Sequence, residues 1–169
     1  MAINTIGSSN SDFYTQLSSA TPANLGTAVN FTSLGLHRKF MLVFREVGFT
    51  ASGTCLIRVN NDSAVDQYIL ARVSDNFASS NVSIAGATGF GTHQGSATGV
   101  NDGFLILRNC DTTSAHFVES GSFESATSAT RSYYVNGYYK AAAVVSQLNV
   151  VMTASTFNGT GTITLFGAP

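Results

Sequence analysis

The run HRKFMLVFRE (37–46) is apolar on both parities, with Phe40, Leu42 and Phe44 interleaved by Met41 and Val43. Successive side chains of a strand point to opposite faces, so this run reads as a central strand covered on both sides. Working outward, Ser52-Gly53 turns the chain into TCLIRV (54–59), where Cys55, Ile57 and Val59 face one way and Thr54 and Arg58 the other. Asn60-Asn61-Asp62 is a further turn, and QYILARV (67–73) sets Ile69, Ala71 and Val73 on one face. FLILR (104–108), SAHFVES (114–120) and SYYV (132–135) follow as strands. In VVSQLNVVMT (144–153), Val144, Leu148, Val150 and Met152 face away from Gln147, Asn149 and Thr153. TITLF (162–166) buries Ile163 and Leu165. No segment has a convincing helical period, and KAAAVVSQL (140–148) alone is ambiguous.

Composition agrees with strands. The 169 residues include 21 Ser, 19 Thr, 16 Gly and 18 aromatics, with only 10% charged. Helix surfaces favour Glu, Lys, Arg and Ala, whereas Ser, Thr, Gly and Asn beside aromatics suit strands and tight turns. Pro22 and Pro169 lie outside the central run, so neither removes a donor from its ladders. The expected fold is all-β: a single antiparallel β-sandwich of jelly-roll type with about 8–10 short strands. The chain is long enough for one core. Residues 1–35 are expected to form an N-terminal arm with a first strand or short turn, and residues 36–169 the sandwich. Residues 74–102, rich in Ser, Gly, Ala and Thr, read as a long loop.

The charge balance excludes several functions. Net charge is −1, which rules out a polybasic nucleic-acid or membrane-surface binder. No stretch approaches the ~20 apolar residues of a membrane span. Residues 1–25 lack the basic start and apolar run of a secretory signal, which leads to an expectation of synthesis in the cytoplasm without one. Cys55 and Cys110 lie in apolar runs and read as buried thiols.

Catalytic patterns are absent: the sequence contains no nucleophile elbow, phosphate-binding loop or paired-histidine zinc motif. His37, His93 and His116 are scattered, and Glu119 and Glu124 read as the two sides of a turn through Ser120–Phe123. No catalytic residue, cofactor or metal is expected. The tyrosines carry more information. Asn136-Gly137 is the strongest hairpin signal in the chain, since a type I′ turn needs positive φ at both central positions. Such a turn pairs Tyr134 with Tyr139 on one face, as a structural cross-strand pair or as part of an interface. In the arm, Ile3, Ile6, Phe13, Tyr14 and Leu17 are the sizeable apolar groups before Leu25. They are too sparse for a core of their own and suit docking on a partner.

Two segments resemble a known module. FMLVFREVGFTASGTCLIRVNND (40–62) with Tyr68 resembles the opening of a β-sandwich module of tailed-bacteriophage structural proteins. AVVSQLNVVMTASTFNGTGTITLFG (143–167) resembles its closing strands, which end in a Gly-Thr-Ile-Thr-Leu-aromatic-Gly run, here Gly161 to Gly167 with Phe166 as the aromatic. The resemblance implies an external, often trimeric virion module without catalytic residues, found in tail-fibre and tail-associated proteins and on capsids. A fibre needs a shaft ahead of its head, and only about 35 residues precede this sandwich. The leading expectation is therefore a non-enzymatic capsid decoration or cement protein on the particle exterior. Its expected partners are two further copies of itself in a homotrimer and the major capsid protein or other virion proteins. The alternative is a tail-fibre or tail-tip module that binds a host-surface receptor, glycan or protein.

Overall fold

The computed structural model describes residues 13–74, 82–95, 99–125 and 130–169. Its strands are β1 (Thr15–Ala20), β2 (Ala28–Phe31), β3 (Lys39–Gly48), β4 (Gly53–Val59), β5 (Tyr68–Ser74), β6 (Val82–Ala87), β7 (Phe90–Gly95), β8 (Val100–Arg108), β9 (His116–Ser125), β10 (Thr130–Tyr139), β11 (Leu148–Thr153) and β12 (Thr162–Ala168). There is no helix among the described residues. The strands form an eight-stranded sheet, β1-β12-β3-β8-β9-β10-β5-β6, and a four-stranded sheet, β2-β11-β4-β7. All pairings are antiparallel.

The connectivity is that of a jelly roll. The chain changes sheet at every step along β1 to β12 except β5 to β6, β8 to β9 and β9 to β10. This gives two four-stranded halves, β1-β12-β3-β8 and β2-β11-β4-β7, wound as paired Greek keys. Two insertions, β5-β6 and β9-β10, widen the first half into eight strands. Among the described residues, twelve strands thus stand where about 8–10 were expected.

Burial explains why the sheets meet where they do. Phe40, Leu42, Phe44, Leu105, Leu107, Ile163 and Leu165 face Val29, Phe31, Ile57, Val59, Phe90, Leu148 and Val150 from the smaller sheet, and all are buried. The alternation of β3 breaks after Phe44, where the register with β8 shifts before Val47. Glu46 takes a positive φ of 51° there, and its amide donates to Asp102 Oδ1 at 2.9 Å. Gly161 (φ 76°) packs directly on the Arg45 and Glu46 carbonyls, so a side chain there would meet backbone as well as an unfavourable conformation.

Several expectations are corrected. Asn136-Gly137 is not a turn: both residues lie within β10, where Asn136 pairs with Glu119 and Ala71, and Gly137 with Val118 and Leu70. Close approach of β5 accounts for this glycine, since a Cβ would strike the Ile69 carbonyl and lie 2.9 Å from Leu70 Cα. Ser120–Phe123 is likewise not a turn but part of β9, so Glu119 and Glu124 share one strand. The long loop expected over 74–102 contains β6 and β7, and β7 supplies the buried Phe90. Within residues 1–35, expected as an arm with a first strand or short turn, β1 lies on the edge of the large sheet and β2 on the edge of the small one.

Candidate interaction surface

Register places three rows of side chains on the outer face of the eight-stranded sheet. The first runs Thr164, Val43, Phe104, Gly121 and Tyr134; the second Phe166, Met41, Ile106, Glu119 and Asn136; the third Ala168, Lys39, Arg108, Phe117 and Tyr138. The aromatic end is the most open, with Phe117 52%, Tyr134 50% and Tyr138 37% exposed. Phe117 and Tyr138 hold their rings 6.5 Å apart, within the range of a favourable aromatic pair. Gly121 leaves room for the Phe104 and Tyr134 rings to close over it, since a Cβ there would lie 3.1 Å from the first and 3.4 Å from the second. Arg108 and Glu119 form an ion pair of 3.3 Å on this face.

The outer face of the smaller sheet has a different character. Its register rows present Thr54, Arg58, Asn30, Asn149 and Thr153, with Leu56 and Val151 as the main apolar groups. Arg58 donates from Nε to the Thr88 carbonyl at 3.0 Å, and Asn149 donates to Asn30 Oδ1 at 2.8 Å. One side of the sandwich is thus polar and internally bonded, while the other presents an apolar and aromatic surface.

The interface candidates separate accordingly. Tyr134 lies on the open aromatic face. Tyr139, expected beside it, points into the core at 2% exposure, because residues five apart in a continuous strand face opposite ways. Phe13 is 81% and Leu17 38% exposed. Tyr14 is partly buried; burial raises its phenol pKa, and Arg108 is close enough to oppose that rise. Ile3 and Ile6 lie outside the described residues. Sequence reading missed Phe104, Phe117 and Tyr138 as surface groups. The signal was present in the double-parity run of β3, whose second apolar parity (Met41, Val43) continues across this face.

Several polar groups inside the fold are occupied structurally, while Asn101 Oδ1 and Asn149 Oδ1 are buried without a hydrogen-bond partner. The Tyr68 hydroxyl accepts from Val59 N–H at 3.0 Å and donates to the Asp62 carbonyl at 2.8 Å. Tyr139 donates to Asp62 Oδ2 at 2.7 Å. Burial drives both phenol pKa values upward. Asn60, at φ 53°, donates from Nδ2 to the Val144 carbonyl and accepts at Oδ1 from the amides of Ser146 and Gln147. His116 is fully buried, with Nδ1 2.8 Å from the Asn109 carbonyl and Nε2 2.7 Å from that of Ala143. These bonds tie the 60–62 turn and the β8–β9 connection to the segment before β11. The residues behind the phage resemblance, Asn60, Asp62 and Tyr68 at one end and Gly161 at the other, therefore have architectural roles.

Cys55 and Cys110 are free and buried. Desolvation pushes the Cys110 thiol up to about 12, which suppresses its nucleophilic form. No group of three or more His, Cys, Asp or Glu side chains converges as a metal site among the described residues. A shallow polar groove is lined by Thr21, Arg45, Glu46, Asp102, Gly161 and Thr162. One of its acidic groups, Asp102, accepts the Glu46 amide at the β3 bulge. No family model, curated protein or solved structure matches this chain.

Proposed function

We propose that this chain is a non-enzymatic structural protein of a tailed-bacteriophage virion, a decoration protein on the outside of the capsid. The observation that carries this reading is the apolar, aromatic outer face of the eight-stranded sheet. A charge-depleted aromatic patch is the composition of an interface core, and it sits on a jelly roll whose few buried polar groups serve architecture. The two quoted motif segments supply the phage assignment. A decoration protein acts by mass action: it binds the assembled shell and not its separated subunits, and so stabilises the shell. Exposed Phe13 and Leu17, with Ile3 and Ile6 ahead of them in sequence, are the proposed contacts to the capsid.

The test is recruitment of purified protein to preassembled capsids, with and without residues 1–12. The full chain should bind. The deletion stops short of β1 and should leave the sandwich folded. If Ile3 and Ile6 are buried on the capsid at roughly 1.5–3 kcal/mol each, the deletion weakens binding by about 3–6 kcal/mol. Protein that ignores capsids but coats host cells would replace this reading with a receptor-binding tail module.

A further inference from the structure

We propose that residues 1–12 cross the outer face of the eight-stranded sheet of their own chain and lay Ile3 and Ile6 on its aromatic cluster. A run such as 40–44, apolar on both parities, belongs to a strand with cover on both sides, and the smaller sheet covers only one. The place where the described chain begins selects the second cover. Thr15 pairs with Gly167, so Tyr14, one residue ahead of β1, stands at the level of Ala168 on the third row of the outer face. Ala168 is fully buried there, beside Lys39. The Tyr14 phenol lies within electrostatic reach of Arg108, Cys110 and Glu119. Arg108 and Glu119 belong to β8 and β9, three and four strands in from β1. Tyr14 therefore reaches inward over the outer face, and Phe13, 81% exposed, leads to residues 1–12 from the same corner.

Length, charge and area fit this segment. A stretch as long as residues 1–12 spans at most about 40 Å. From Phe13 to Tyr134, at the far corner, the path crosses about five strand spacings of ~4.8 Å and runs along about five residues of ~3.4 Å, roughly 30 Å on the diagonal. Ile6 thus has the reach to meet Phe104 and Phe117, and Ile3 to meet Tyr134. The one charged side chain of MAINTIGSSNSD (1–12) is Asp12, which enters at the end of the face that holds Lys39 and Arg108. Its sign complements theirs. The face spans about five strands by five residues, a flat footprint of about 400 Å². That is half of the ~800 Å² each partner gives to a standard protein interface, and it suits a single extended segment better than a folded domain. The inference concerns the free chain. On the capsid reading above, the same isoleucines leave this face for the shell, so loading uncovers the aromatic cluster.

Fluorescence of the full chain tests the proposal. The sequence holds no tryptophan, so Ile6→Trp introduces a single indole. Docked on the face, its emission should be blue-shifted and its quenching by acrylamide several-fold weaker than in a 1–12 peptide with the same substitution. Adding Phe117→Lys and Tyr134→Lys puts two charges into the aromatic cluster and should return the indole to peptide-like quenching. Val65→Lys, at an exposed site outside the face, should leave it shielded. Circular dichroism checks that the doubly charged face variant is folded. If it is not, Tyr134→Lys alone, at a half-exposed position, takes its place with the same expected release. An indole quenched like the peptide overturns the proposal, as does shielding that survives a folded face variant. Shielding that vanishes on dilution from tens of micromolar to submicromolar concentration also overturns it, since the segment would then cover another copy. The two readings fail separately: an exposed indole in a chain that loads onto capsids refutes the strap alone, and a shielded indole in a chain that never loads refutes the capsid reading alone.

Discussion

Gly137→Ala tests the placement of Asn136-Gly137 inside a strand. Gly137 is paired on both sides, with Leu70 of β5 and Val118 of β9. An added Cβ would meet the Ile69 carbonyl and lie 2.9 Å from Leu70 Cα, against the ~3.5–4.0 Å of an unstrained carbon contact. Both obstacles are backbone, so no rotamer relieves them. Strand β5 must shift by about 1 Å, which strains the neighbouring Tyr138–Ile69 and Asn136–Ala71 pairs. Overpacking of this kind costs about 1–3 kcal/mol, and the rigidity of a doubly paired strand places this case near 3. For a domain of this size that corresponds to a drop in Tm of roughly 6–12 °C. The companion variant is Asn136→Thr. Asn136 is exposed and mid-strand, where Thr is at least as well suited, so the change should stay within ~0.5 kcal/mol. In a type I′ turn the same substitution would force a β-branched residue to positive φ and be clearly destabilising. Urea and thermal unfolding followed by circular dichroism read both. A mild Gly137→Ala, or an Asn136→Thr as damaging as Gly137→Ala, refutes the strand assignment.

Three further outcomes follow from the interior. Tyr68→Phe leaves the Val59 amide and Asp62 carbonyl without their hydroxyl partner and should cost about 1–3 kcal/mol in urea unfolding; a neutral result would deny that the hydroxyl ties the 59–62 turn. His116→Leu strands the Ala143 carbonyl and removes the ring from the Asn109 carbonyl, which keeps Thr112, and should cost about 1–3 kcal/mol, so a tolerated substitution would remove the histidine from its bridging role. Alkaline pH should also destabilise the fold. The Cys110 thiol is raised from 9.0 to about 12, and the Tyr68 and Tyr139 phenols are raised as well, so above pH 9 the folded state holds protons that the unfolded chain releases. The stability these groups contribute is complete below pH 9 and declines as pH rises towards 12, and a flat alkaline limb in a pH series of unfolding would contradict their burial.

Much of the sandwich was legible because its central strands alternate strongly. In β4 and β12 the inward residues Cys55, Ile57, Val59, Ile163 and Leu165 are those the period-two pattern selects. Strand β1 and most of β7 escaped because their sequences, TQLSSA and FGTHQG, are polar and lack a clear period. They are held by ladder bonds to β12 and β4, which composition does not encode. Asn136-Gly137 misled because its local preference for a turn was overridden by pairing on both sides, with the glycine retained for close backbone approach. That error reversed the parity of the tyrosines: counted across a turn, Tyr139 joins Tyr134, while counted along a strand it enters the core and Tyr138 takes its place. The interaction surface was half visible, since Met41 and Val43 marked a second apolar face on β3. Its aromatic part comes from β9 and β10, and which strands lie beside β3 is a property of topology.

The proposed reading requires that a tailed phage encodes this protein, and its most direct test is to locate the protein on purified particles of that phage by gold-labelled antibody in electron microscopy. Regular labelling over the outside of intact heads is the predicted result. Particles that lack the protein, or that carry it only at the tail tip, would contradict the capsid-decoration reading.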